Sequence, residues 1–172
     1  VWTFQEIFNL GGNKEKQKLT EIDKKLTPND AINIQFTSGT TGQPKGATLS
    51  HYNIVNNGCF VTGRIKLTEK DRLALPVPLY HCFGMVMGVL GAVSKGAAMI
   101  FPGESFDAKE TLDVLVKEKC TALYGVPTMF VAILEELNKS SSDLSNMRTG
   151  IMAGALCPIE VMKKVNDLMN MK

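Results

Sequence analysis

The chain has little from which to build a metal centre or a disulfide framework. Its 172 residues include two histidines, and its four cysteines, Cys59, Cys82, Cys120 and Cys157, are widely spaced with no C-x-x-C pair. Zinc sites need clustered Cys and His, and disulfide frameworks belong to small secreted domains, so scattered reduced thiols in an intracellular protein are expected. Charge of one sign is also missing. Nineteen Lys and Arg against 17 Asp and Glu leave a net charge of +2, which makes no electrostatic case for a nucleic acid or a membrane surface as partner. The longest apolar run, Cys82–Val93, is too short to span a bilayer and is broken by glycines, so no integral membrane segment is expected. Val1-Trp2-Thr3 does not have the look of a signal peptide. What remains is an ordinary globular composition, 44% hydrophobic and 21% charged, in one domain's worth of chain. That length buries roughly two-thirds of the unfolded surface.

The stretch Thr37–Gly46, Thr-Ser-Gly-Thr-Thr-Gly-Gln-Pro-Lys-Gly, stands out from this background. Nothing in it can form a core, and nearly all of it can hold an oxyanion. Gly39, Gly42 and Gly46 permit positive φ, so successive backbone N–H groups can converge on one point. Thr37, Ser38, Thr40 and Thr41 add hydroxyl donors, Gln43 and Pro44 form the exit, and Lys45 brings a positive charge suited to phosphate. Ala31–Thr37 alternates, with Ile32, Ile34 and Phe36 on one face, and reads as a strand. Ser50 is placed to cap a helix over His51–Arg64. Strand, glycine-rich loop and helix in that order is a recurrent phosphate-binding arrangement. The loop is not a Walker A loop, because Lys45 lies between Pro44 and Gly46 rather than between Gly and Ser or Thr.

In chain order, Thr3-Phe4-Gln5-Glu6 has capping-box spacing and opens a short helix that ends at Gly11-Gly12. Asn13–Asn29 is lysine-rich and reads as a solvated connector. From residue 31 the pattern alternates. Strands are expected at Ile32–Thr37, Arg72–Val77, Ala97–Phe101, Thr121–Tyr124 and Thr149–Ala153. Helices are expected at His51–Arg64, His81–Ser94, Asp107–Lys119, Pro127–Asn138 and Pro158–Asn170, with Asp107 as a cap and Pro158 in a first turn. This alternation implies an α/β fold, a mainly parallel sheet with helices on both faces. Ligands of such sheets bind beyond the carboxyl ends of the strands.

Three further segments occupy that position. In Pro76–Gly84, two prolines hold the chain extended and His81 stands before a helix, where it can line a pocket, bond a carboxylate or cap the helix. In Tyr124–Thr128, Gly125 allows close backbone approach and Pro127 starts a helix. An ordinary strand-to-helix turn reads the same way. In Ala153–Pro158, small residues let a flat ring lie against backbone. Met129 and Phe130 read as core, as do most methionines, and Cys157 has no His neighbour to make it a nucleophile.

Thr37–Gly46 resembles the signature loop of the adenylate-forming enzymes, which comprise acyl- and aryl-CoA synthetases, luciferases and peptide-synthetase adenylation domains. Asp30–Asn57 and Pro78–Phe83 look closest to the medium-chain acyl-CoA synthetase branch, and the resemblance runs from about Asp30 to the end. It implies that residues 37–45 hold the β- and γ-phosphates of ATP, with Lys45 and the hydroxyls as donors. By the same resemblance, Gly154, Ala155 and Leu156 pack near adenine, although Ala153 stands where the family often has another glycine. His81, Gly125, Val126, Pro127 and Thr128 border the acyl and coenzyme A region. Amino-acid-activating relatives carry a Phe-Asp pair where this chain has Tyr80-His81, which favours a substrate without an α-amino group, a fatty acid above all.

The implied chemistry joins a carboxylate to ATP as an acyl-adenylate and then transfers the acyl group to coenzyme A, with Mg²⁺ on the phosphates. The family's Thr-Glu segment with its Mg²⁺-binding Glu, its ribose-binding Asp and its lysine-bearing C-terminal domain have no counterpart among these residues. No catalytic residue and no metal ligand is therefore assigned here. Residues 1–30 are expected to be a helix and charged connector from a preceding subdomain. Residues 31–172 are expected to be part of the ATP-binding subdomain of a large N-terminal domain, inactive alone, from a cytoplasmic or mitochondrial-matrix enzyme. Two other readings stay open. One is an amino-acid or luciferin-type adenylation domain, and the other is a non-catalytic nucleotide-binding module.

Overall fold

Side-chain alternation in four short strands divides the interior of this protein in two. The computed structural model describes residues 2–37 and 42–172. The chain forms two compact units, residues 1–52 and 53–172.

In the first unit, α1 (Phe4–Phe8) carries the expected capping box: Thr3 Oγ1 accepts from Glu6 N at 3.3 Å, and Glu6 Oε2 accepts from Thr3 N at 2.7 Å. The connector expected over Asn13–Asn29 contains an eleven-residue helix, α2 (Asn13–Asp23), with no buried residue. Its Glu15 carboxylate accepts from Gly12 N at 3.0 Å, a cap signal present in the sequence but overlooked amid the lysines. β1 (Ala31–Thr37) pairs antiparallel with β2 (Lys45–Ser50). This corrects two expectations. The glycine-rich segment joins two strands of a hairpin rather than a strand and a helix, and β1 lies outside the parallel sheet. β2 escaped notice because Lys-Gly-Ala-Thr-Leu-Ser has no apolar alternation; its backbone pairing with β1 defines it.

The second unit contains a parallel sheet in the order β4-β3-β5-β6, from β3 (Arg72–Ala74), β4 (Ala98–Ile100), β5 (Ala122–Gly125) and β6 (Thr149–Met152). Leu73, Leu75, Ala122 and Tyr124 point to one face, where they pack with Leu67, Phe83 and Ala92. Ala74 and Leu123 point to the other, beneath Leu112 and Leu115 of α5 (Ala108–Lys117), Phe130, Ile133 and Leu134 of α6 (Pro127–Asn138), and Val165 and Met169 of α7 (Ile159–Met169). Helices therefore cover both faces, as the near-continuous apolar strands require. α3 (His51–Arg64) and α6 match their expected ranges. Pro158 is the residue before α7 rather than inside its first turn. The helix expected over His81–Ser94 is a π-helix, Phe83–Leu90, followed by α4 (Gly91–Lys95).

The amino ends of three strands are tied together. Asp71, one residue before β3, is 3% exposed. Its Oδ1 accepts from Arg148 Nε at 2.8 Å and from Thr121 Oγ1 at 2.6 Å, and its Oδ2 accepts from Thr68 N at 2.8 Å. Thr121 and Arg148 immediately precede β5 and β6. Burial opposes ionisation of Asp71, but Arg148, Thr121 and Thr68 outweigh it and hold the carboxyl down to about 2. This cluster lies at the amino ends of the strands, opposite their carboxyl ends.

Candidate functional site

The hairpin register sets the geometry of the glycine-rich segment. Thr37 and Lys45 are direct cross-strand partners, as are Phe36 and Gly46. Residues opposite one another in an antiparallel pair project to the same face, so Thr37 and Lys45 share one face at the mouth of the loop. Gly42 has φ +80°, the left-handed region, which turns its N–H away from the course of an ordinary strand. Gln43 and Pro44 carry the chain back into β2. Ser38, Gly39, Thr40 and Thr41 lie outside the described residues. The described part of the loop, a positive-φ glycine flanked by a paired Thr and Lys, has the donor chemistry that a polyphosphate requires.

The remaining candidate segments all lie in the second unit, at the carboxyl ends of its strands. Pro76–Gly84 leaves β3, Val126–Thr128 leaves β5, and Ala153–Cys157 leaves β6. Gly84 explains how the first is held. A Cβ at that position would lie 2.4 Å from the Pro78 carbonyl oxygen, so only glycine lets the extended segment rest on the π-helix. Gly154 explains the third: with φ +90° it brings its Cα against Val126, where a Cβ would meet Val126 Cγ1 at 3.2 Å. The β5 and β6 segments therefore touch. Ala155 and Leu156 project into solvent, Leu156 being 90% exposed. Cys157 Sγ donates to Met152 O at 3.2 Å and is committed to the turn.

Gly125 is buried, and a Cβ there would press on Phe130 at 3.1 Å, so its small size serves core packing. Pro127 is buried at the start of α6, and Thr128 is exposed. His81 is exposed, and its Nδ1 accepts from Phe83 N at 3.0 Å, which is the capping role among its three readings.

A cleft of ≈ 530 Å³ opens between the carboxyl ends of β3 and β4, walled by Leu75, Val77, Tyr80, Phe101, Glu104 and Met129 among others. The sequence reads Asp107 as a helix cap and Met129 as core, and neither reading points to this cleft. Asp107 is indeed the cap of α5, its Oδ1 accepting from Glu110 N at 2.7 Å. The rule that ligands gather beyond strand ends, applied to β4 as well, would have found Phe101–Phe106. Tyr124 is wholly buried and stacked on Phe83, with ring centroids 5.7 Å apart. Its hydroxyl has no hydrogen-bond partner among the described residues, and burial pushes the phenol far above its usual range.

Comparison with known proteins identifies the family and the fold. The family model described as AMP-binding enzyme matches residues 4–172. A mitochondrial medium-chain acyl-CoA ligase, ACSF2, of Danio rerio is 47% identical over 98% of this chain and 28% of its own length. The putative acyl-CoA synthetase YngI of Bacillus subtilis is 50% identical over 99% of this chain and 31% of its own. Among solved structures, ATP-bound MatB from Rhodopseudomonas palustris superposes with a TM-score of 0.75 at 27% identity, covering 84% of this chain and 28% of that one. The chain thus spans about three tenths of the length of the relatives it matches.

Proposed function

Because the chain belongs to the AMP-binding enzyme family, we propose that it is the nucleotide-binding part of an ATP-dependent acid–thiol ligase that makes acyl-coenzyme A, with a fatty acid as the carboxylate. Two observations support this reading: the acyl-CoA ligase character of the curated relatives, and a phosphate-type loop whose Thr37 and Lys45 stand on one face. Tyr80 and His81 occupy the place where an amino-acid-activating enzyme would carry a carboxylate, so no anchor for a substrate ammonium is offered there.

In the first half-reaction a carboxylate oxygen attacks the α-phosphorus of ATP, and pyrophosphate leaves. In the second a thiol sulfur attacks the acyl carbon, AMP leaves, and the thiol proton passes to solvent. Neither step needs covalent help from protein. Both need charge neutralised and reactants held in line. Thr37 to Lys45 would hold the β- and γ-phosphates, Lys45 as a point charge and Gly42 through its N–H. Gly154 to Leu156 would lie against the adenine, and His81 with Gly125 to Thr128 would border the acyl group and the thiol. Mg²⁺ would arrive on the phosphates; among the described residues no group of three or more His, Cys, Asp or Glu is arranged to hold an ion by itself. Residues 1–30 would belong to a preceding subdomain and 31–172 to the ATP-binding one. No helix of the described residues is long and apolar enough to cross a membrane. The cytoplasm or mitochondrial matrix is the compartment we assign, and fatty acid metabolism the context.

Lys45→Ala tests the loop directly. In a full-length ligase carrying these residues it should raise the KM for ATP by roughly tenfold to a hundredfold, the worth of one charge-assisted contact, and leave the melting temperature unchanged. Unaltered ATP kinetics would remove Lys45 from the phosphate site.

A further inference from the structure

The Tyr124 hydroxyl is a buried donor with no acceptor among the described residues. Phenylalanine would fill the same space and stack on Phe83 equally well, without the cost of a stranded polar group. Tyr124 is the third residue of β5, an inner strand of the sheet, and the two segments that flank it are the ones assigned above to the acyl group: His81 leads into Phe83, and Gly125–Thr128 follows Tyr124 directly. Leu75, Val77 and Met129 belong both to the apolar cluster that contains Tyr124 and to the wall of the ≈ 530 Å³ cleft, so the cluster and the cleft share side chains. That cluster is adaptable. Met87, Met99 and Met129, all only partly buried, pack in the same cluster, and unbranched thioethers re-pack at small cost. The π-helix that carries Phe83 and Met87 is itself a form that recurs at functional sites.

Resting on the acyl-CoA ligase reading, we propose that Tyr124 is a specificity-determining residue whose hydroxyl donates to an oxygen substituent on the acyl chain, so that hydroxy- or oxo-carboxylates are preferred over the plain fatty acid. A site built to bond such an oxygen discriminates strongly against the analogue that lacks it, because the donor is then left buried and unpaired. The phenol stays protonated throughout, and no bond to carbon is made or broken at this position.

The test compares octanoate with its β-hydroxy and δ-oxo counterparts as substrates for pyrophosphate exchange, using a full-length ligase that carries these residues and its Tyr124→Phe variant. The intact protein should favour at least one oxygenated acid over octanoate by about tenfold or more in kcat/KM. The variant should lose that preference through a higher KM for the oxygenated acid rather than a lower kcat, and melt without ligand at the same temperature or higher. A ratio unchanged by the substitution would overturn the proposal. So would a lower melting temperature, which would mean that the hydroxyl is bonded internally, for example to a buried water. Absence of exchange with every carboxylate, before any substitution, would instead refute the ligase reading on which the proposal rests.

Discussion

Asp71 shows what single residues contribute at the end of the sheet away from the site. Its folded-state pKa is depressed from 3.8 to about 2, so the fold favours the ionised form. The stability this provides is complete above the unfolded value and is lost as pH falls from about 4 through about 2. A shift of that size corresponds to about 2 kcal/mol. Unfolding free energy measured against pH should therefore drop by that amount below pH 4, and Asp71→Asn should abolish this part of the pH dependence while lowering stability at neutral pH. A flat profile in the wild type would show the cluster to be neutral. Neither Asp71 nor its partner was visible in the sequence, because Arg148 lies 77 positions away and only the register of the sheet brings the two together. Lys45, by contrast, is assigned from local chemistry alone, the composition of ten consecutive residues, and the KM of Lys45→Ala for ATP is what decides that assignment. The orphaned hydroxyl of Tyr124 could not be read at all, since being without a partner is a property of the packed state.

At the scale of elements, local signals worked where they governed the structure. Asp107 was read as a cap and is one, so Asp107→Ala should cost about 1 kcal/mol in chemical denaturation, and Asp107→Asn much less. Equal losses for the two would mean that the side-chain bond to Glu110 contributes nothing. Gly84 makes the opposite point. Its role depends on the Pro78 carbonyl pressing against it, and a sequence shows only an apolar run with glycines. Gly84→Ala forces that backbone contact apart and should destabilise by roughly 1–3 kcal/mol, displacing the segment that carries Tyr80 and His81. An unchanged melting temperature would show the contact to be soft. The strand Lys45–Ser50 was missed because backbone pairing, not side-chain pattern, defines it, and with it went the hairpin setting of the loop. The π-helix was read as an ordinary helix because the two share residue preferences and differ only in which carbonyl each N–H reaches.

At the scale of the whole molecule, the βα alternation was enough to give a parallel sheet covered on both faces, since each strand supplies both apolar clusters. The same surface leaves Ile34, Phe36, Phe60, Leu156 and Ile159 more than half exposed. Such apolar exposure makes self-association of the isolated 172-residue chain the expected behaviour at micromolar concentration, and sedimentation velocity would read it out; a monodisperse monomer would favour a module that works alone. We propose that this chain is the nucleotide-binding part of an enzyme that adenylates a fatty carboxylate. ATP–pyrophosphate exchange by a full-length protein carrying these residues, offered medium-chain fatty, aryl and amino acids in turn, tests it most directly. Exchange driven by the medium-chain acids is the predicted result. Exchange with amino acids alone, or with no carboxylate at all, would contradict it.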